Sequence, residues 1–276
     1  MLKYSIFIIG IIFSYSVAHS QLMSKKEELY YEASKLMDSL QFEEAIDYFD
    51  WIIDLDGKHY NAYFKKAVCQ SIIKDDKGAV ETFNKALEFA KSTKQKTMAY
   101  YNRAISYSNL NKIKLSIADY NSTIALNPNL GQAYNNRGLE KERLGRYEAA
   151  KIDLNQAIIR DTNNASFLFN LGRIHLFQKD YELASLIFTK SIIRNPKYYP
   201  SYLKRGDSYA HLKKFDLAFS DFDIVLKNNS KNAEAYLKRG YCNLELNKKD
   251  SACDDFNFAL KYGAKTAKDL IKQFCK

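Results

Sequence analysis

The sequence predicts an all-α fold, a row of seven helix–turn–helix units followed by a capping helix. Three observations carry that expectation. Ten Gly and three Pro in 276 residues are too few for the many turns of an all-β chain. An apolar fraction of 46%, with 17 Phe and 21 Tyr, supplies a large core and argues against disorder. The third is one pattern that returns along almost the entire chain.

The chain opens with a segment of a different kind. Lys3 precedes the apolar run Ile6–Phe13, and Ala18 and Ser20 place small residues just before Gln21. This layout is that of an export signal, expected over residues 1–20 and cleaved after Ser20, giving a periplasmic or secreted protein. The competing reading is a membrane anchor, but the uncharged stretch Tyr4–Val17 falls short of the ~20 residues a span needs. No transmembrane span is expected in the mature chain. Lys and Arg number 42 against 32 Asp and Glu, a net charge of +10, and losing Lys3 leaves +9.

The repeating pattern then begins. A small residue stands at Ala33, Ala67, Ala104, Gly138, Gly172, Gly206 and Gly240, at spacings of 34 except for one of 37. Twelve residues later comes a second small residue, from Ala45 to Ala252, and four further on a large apolar one: Phe49, Phe83, Tyr120, Leu154, Phe188, Phe222 and Phe256. Small residues on two successive segments let antiparallel helices approach closely, and the large residue packs on the same face of the second helix. Pro128 and Pro196 stop two of the second helices. One hairpin cannot bury its apolar face alone, so the units must stack. The expected units run about 26–59, 60–96, 97–130, 131–164, 165–198, 199–232 and 233–265.

This pattern resembles the tetratricopeptide repeat family, whose 34-residue hairpins carry small residues at positions 8, 20 and 27, an aromatic at 24 and Pro at 32. The fourth unit, from Ala133 to Ile158, matches it well. The resemblance implies a right-handed superhelical solenoid whose first helices line a concave groove, with ligands touching positions 2, 5, 9 and 12 of those helices. On that basis the candidate peptide-binding residues are Tyr30, Phe64, Tyr101, Asn135 and Phe169 at position 5, and Arg173, Asp207 and Tyr241 at position 9. The Lys and Asn clamp of the chaperone-binding subgroup is absent. A groove of aromatic and aliphatic residues suits a protein or peptide with apolar anchors, although some of these side chains could equally complete helix packing. Asn135, Arg173 and Asp207 are the better specificity candidates, because a polar group in an apolar groove needs a partner.

Two departures from the pattern stand out. The 37-residue spacing reflects Lys91–Ser92–Thr93–Lys94, read as a longer second helix that keeps the array continuous, or else as a hinge between two and five repeats. The residue before the first small one is Arg103, Arg137, Arg205 or Arg239 in four repeats, and the same four carry Asp119, Asp153, Asp221 and Asp255 sixteen residues later. The remaining three have neither, with Leu171 and Ile187 in the fifth. Arg and Asp therefore come together or not at all, which predicts a salt bridge inside each hairpin, worth ~0.2–1 kcal/mol if partly exposed.

After the seventh unit, Ala267, Leu270, Ile271 and Phe274 fall at helical spacing, so residues 266–276 are expected to form a capping helix. Cys253 lies ten residues before Gly263 and Cys275 twelve after, which brings the two sulfurs level on an antiparallel hairpin. A Cys253–Cys275 disulfide is expected, with Cys242 as the competing partner and Cys69 a buried thiol.

Nothing in the sequence points to catalysis. His59, His175 and His211 fall in separate repeats, no Cys pair has zinc spacing, and there is no GxSxG, HExxH or phosphate loop. Asp75–Gly78 reads as a turn. No cofactor, metal or nucleic acid is expected. The function expected is a non-catalytic protein-binding or peptide-binding scaffold. The alternative is binding of an acidic cell-envelope polymer through basic pairs such as Lys25–Lys26, Lys213–Lys214 and Lys248–Lys249.

Overall fold

A computed structural model describes residues 22–275. The expected export signal lies outside the described residues. Among them there are fifteen helices and no strand. Helix α1 spans residues 22–38, followed by α2 (Phe42–Leu55), α3 (Tyr60–Ile72), α4 (Asp76–Phe89), α5 (Thr93–Asn109), α6 (Ile113–Leu126), α7 (Gly131–Arg143) and α8 (Tyr147–Arg160). Then come α9 (Ala165–Phe177), α10 (Tyr181–Arg194), α11 (Tyr199–His211), α12 (Phe215–Asn228), α13 (Ala233–Glu245), α14 (Lys249–Lys261) and α15 (Ala267–Phe274). Each odd helix up to α13 pairs with the even helix after it. The described chain falls into two compact units, one ending at Asn129 and the other beginning at Leu130. That division comes at an ordinary 34-residue spacing.

The turn within each hairpin is closed the same way. Leu40, Lys74, Asn111, Gly145, Lys179, Lys213 and Asn247 all have positive φ, between 57° and 71°. The residue after each donates its N–H back into the first helix, as Asp75 does to the Gln70 carbonyl at 2.8 Å. This left-handed step satisfies carbonyls that the helix end leaves open. Six of the seven residues that take it carry a side chain.

The 37-residue spacing does not lengthen a second helix. Helix α4 has 14 residues like α2, whereas α5 has 17 against 13 in α3. The extra residues extend α5 at its N-terminus, where Ser92 and Gln95 form a reciprocal capping box. Helices α4 and α5 pack together inside the first unit, so the array continues across this spacing. Asp75 is likewise no mere turn residue, because its carboxylate accepts the Gly78 N–H at 3.0 Å and caps α4.

The core repeats with the period. Phe49, Phe83, Phe188, Phe222 and Phe256 are fully buried, as are the small residues that face them. A Cβ placed on Gly172, Gly206 or Gly240 would lie 2.6–2.7 Å from the ring of Phe188, Phe222 or Phe256. In the first unit the corresponding residues are Ala33, Ala67 and Ala104.

All four Arg–Asp pairs form inside their own hairpins. Arg103 donates Nε and Nη2 to the two oxygens of Asp119 at 2.7 and 2.8 Å, and Arg205 to Asp221 at 2.9 and 2.7 Å. Arg137–Asp153 and Arg239–Asp255 repeat the geometry. The carboxylates are only 2–8% exposed, so these are buried bidentate pairs rather than the partly exposed ones expected. Burial pushes the Asp221 carboxyl above the usual carboxylate value despite Arg205. For Arg103, Arg205 and Arg239, burial pulls the guanidinium down, but the bonded Asp outweighs it and the net shift is upward. Such a pair adds little net stability, yet removing one partner strands a buried charge. In the fifth repeat Leu171 and Ile187 are buried together in an apolar cluster instead.

At the C-terminus α15 covers α14, with Leu270, Ile271 and Phe274 packed on Phe256 and Ala259. Cys253 and Cys275 are joined in a disulfide with Cα atoms 5.6 Å apart. Cys69 and Cys242 are free and buried. Burial pushes their thiols up, to about 11 and about 12, so neither is poised to exchange with the bridge.

Candidate functional site

The period places every position-5 and position-9 residue on the first-helix face of its unit, but their surroundings differ. Tyr30, Phe64, Tyr101 and Phe169 each lay their ring against the core ring of their own hairpin, at 6.1 Å to Phe49, 5.8 Å to Phe83, 5.9 Å to Tyr120 and 5.9 Å to Phe188. Tyr241 does so with Phe256 at 5.6 Å. Of these five, Tyr241 alone remains largely exposed, at 45%. The aromatic candidates therefore form a second layer over the core.

The polar candidates divide further. Asn135 is buried, accepts from Asn170 Nδ2 at 2.9 Å and donates to Asn136 at 3.0 Å. Its need for a partner is met within the chain, which removes the reason for choosing it. Asp207 is held by Lys238 at 2.6 Å and Lys204 at 3.4 Å and ties α11 to α13. Arg173 remains accessible, with one nitrogen on Glu142 at 2.9 Å.

Arg173 is also part of a cleft in the second unit. Leu139, Leu176 and Phe177 form an apolar floor of a space of about 640 Å³, and Arg143, Arg173 and Lys204 stand around it with Glu142. Phe177 is 67% exposed and its ring lies 5.1 Å from that of Tyr147. Neighbouring Tyr198, whose ring meets Phe169 edge-on at 5.4 Å, has its phenol pushed up by burial, with Arg173 opposing. The sequence candidates omitted Glu142, Leu176 and Phe177. Glu142 and Leu176 occupy position 12, which the resemblance already pointed to. Phe177 lies at the C-terminal end of α9, where only the packing leaves it exposed.

A comparable cleft of about 600 Å³ opens in the first unit around Tyr30, Tyr31, Ser34 and His59. Lys65 Nζ lies 4.6 Å over the Tyr30 ring and 3.1 Å from Ser34 Oγ. Lys26 bonds Asp56 at 3.0 Å and holds that carboxyl below its ordinary value. Burial lowers His59, in keeping with Nδ1 accepting the Ala62 N–H to cap α3. Among the described residues no three His, Cys, Asp or Glu side chains gather as a metal site. No described helix is long and apolar enough to cross a membrane.

Both clefts combine an apolar or aromatic surface with isolated charges.

Comparison with known proteins agrees with the repeat pattern. Models of the tetratricopeptide repeat match residues 30–93, 99–130, 135–200 and 202–264. A repeat protein of this kind from Parabacteroides merdae superposes with a TM-score of 0.65 at 22% identity, over 91% of this chain and 99% of that one. The C-terminal part of another, from Cytophaga hutchinsonii, gives 0.72 at 18% identity over 87% and 98%. YrrB, described as a tetratricopeptide repeat protein with an unusual peptide-binding site, gives 0.59 at 21% identity over 70% and 99%. No curated protein sequence matches the chain significantly.

Proposed function

Because the chain belongs to the tetratricopeptide repeat family, a family of interaction scaffolds, we propose that it is a non-catalytic scaffold binding a peptide segment on its first-helix face. The observation that carries this reading is the second-unit cleft, where exposed Phe177 and half-buried Leu176 lie beside Arg173 and Lys204. An apolar anchor would cover the floor, and a carboxylate or backbone carbonyl next to it would take the cations. YrrB, with its peptide-binding site, is a precedent on the same fold.

The test is selection from a displayed random-peptide library against wild type, Phe177→Asp and Arg173→Ala. Peptides with an apolar anchor should lose at least about tenfold in affinity on Phe177→Asp and less on Arg173→Ala. Selected peptides indifferent to both changes would end this reading.

We further propose that the scaffold works outside the cytoplasm. Residues 1–20 have the layout of an export signal, and a Cys253–Cys275 disulfide suits an oxidising compartment. N-terminal sequencing of the protein recovered from its native cell should begin at Gln21. Recovery of an uncleaved chain from the cytoplasm would overturn the export proposal.

A further inference from the structure

The second-helix face carries a cleft of its own between α8 and α10, and the repeat pattern explains its apolar floor. In the second, third, sixth and seventh repeats, the cation before the first small residue reaches back to a polar group on the preceding second helix. Lys66 pairs with Asp50, Arg103 Nη1 donates to Asn84 at 2.6 Å, Arg205 Nη1 to Thr189 at 3.1 Å and Arg239 Nη1 to Asp223 at 2.8 Å. Each cation thus ties its first helix to the second helix before it, and beside Arg239 a charged cleft of about 420 Å³ still opens, lined by Lys248, Asp254 and Asp255. In the fifth repeat the residue is Leu171, which cannot reach, and the acceptor at the equivalent place on α8, Asn155, is left exposed. In this repeat the cleft, of about 430 Å³ between α8 and α10, is instead floored by apolar Ile158, Leu168, Leu171 and Ile187.

Exposed apolar residues flank this cleft. Ile152 and Ile159 on α8 and Leu186 and Ile193 on α10 are 60–67% exposed. They lie seven apart along each helix and 34 apart between helices, so two parallel apolar ridges flank the gap. Lys190 and Arg194 stand at the rim without an ion-pair partner among the described residues, and no carboxylate lines the cleft. Exposed apolar side chains clustered beside a cleft in this way mark an interaction surface.

We propose that this is a second docking site, for an acidic amphipathic helix of a partner protein. Two ridges with a groove between them accept a helix, whose apolar residues at i, i+3, i+4 and i+7 enter the cleft. Acidic flanks on that helix meet Lys190 and Arg194. A second copy using the same face would set these cations against their own kind, and a flat bilayer cannot enter a concave cleft. The site lies on the opposite helices from the peptide cleft and does not depend on that reading.

The probe is a labelled synthetic helix of about 15 residues with Leu along one face and Glu on both flanks, titrated into the full chain. Binding should weaken at least about tenfold for Ile193→Asp, which replaces an exposed side chain, and for the same peptide with Lys in place of Glu. Leu171→Arg with Ile187→Asp builds the missing Arg–Asp pair into the fifth repeat, puts charge in the apolar floor and should bring a similar loss. Phe177→Asp should change nothing here. The proposal is overturned if the acidic peptide does not bind, if both peptides bind equally, or if Ile193→Asp leaves binding intact. It is equally overturned if Ile193 instead drives self-association in sedimentation, or governs binding to phosphatidylserine vesicles in place of the peptide.

Discussion

The two units build the same hairpin around different contact residues. The three repeats before Asn129 put Ala33, Ala67 and Ala104 at the tightest point between helices, and the four after it put Gly138, Gly172, Gly206 and Gly240 there. In the second unit three rings lie so close to the first helix that a methyl group would overlap them. The second unit also holds three of the four buried Arg–Asp pairs, whereas the first relies on Arg103–Asp119 and the more exposed Lys66–Asp50. The period thus fixes where helices touch, and the residue at the contact fixes how closely and through what chemistry.

The largest expected effect tests the buried pairs. Arg205→Met should destabilise the second unit by about 3–5 kcal/mol in denaturant unfolding, because Asp221 is left buried without its partner. Arg205→Leu with Asp221→Ile, the combination the fifth repeat already uses, should recover most of that loss. In the first unit Lys66→Met should cost under about 1 kcal/mol, since Asp50 is 43% exposed. Equal losses from Arg205→Met and Lys66→Met would erase this difference between the units.

The next concerns the end of the second unit. Helix α15 has eight residues, too short to persist alone, and the Cys253–Cys275 bridge closes a loop with a sequence separation of 22. Replacing both Cys by Ser should cost about 3 kcal/mol. Amide exchange should show the loss at α15 first, with the first unit unchanged.

Gly206→Ala should cost about 1–3 kcal/mol by forcing the Phe222 ring away, despite the better helix propensity of Ala. Ala67→Gly in the first unit should cost about 1–2 kcal/mol, from helix propensity and the loss of one buried methyl. Thermal melts of the two variants compare the tight contact with the looser one directly.

The smallest effect has the opposite sign. Leu40 takes the left-handed turn conformation in the first unit that Gly145 takes in the second, with φ of 62° and 71°. Leu40→Gly should stabilise the first unit by about 0.5–1 kcal/mol, and Gly145→Leu should do the reverse in the second.

How far the sequence could be read follows from which features are local and periodic. Small residues at a fixed spacing require close helices wherever they occur, so the hairpins, the cap and the Arg–Asp register were legible from residues such as Gly206, Asp221 and Cys253. The left-handed turns were not, because Leu40 and Lys74 give no Gly signal and adopt positive φ only to close the helix end. The added residues of the 37-residue spacing fell on α5 rather than α4 because Ser92 and Gln95 cap it there.

The candidate sites were less legible for a related reason. Position in the repeat says which face a side chain occupies, but exposure depends on what neighbouring helices bring to it. Asn135 faced the groove on paper and is spent on Asn170, while Phe177 lay outside the expected positions and stands open. The sequence by itself determined the helices, their order and their contact residues, since these follow from periodicity and side-chain size. Only the tertiary structure decided which polar groups remain available and which gaps stay open, because both depend on contacts between residues far apart in the chain.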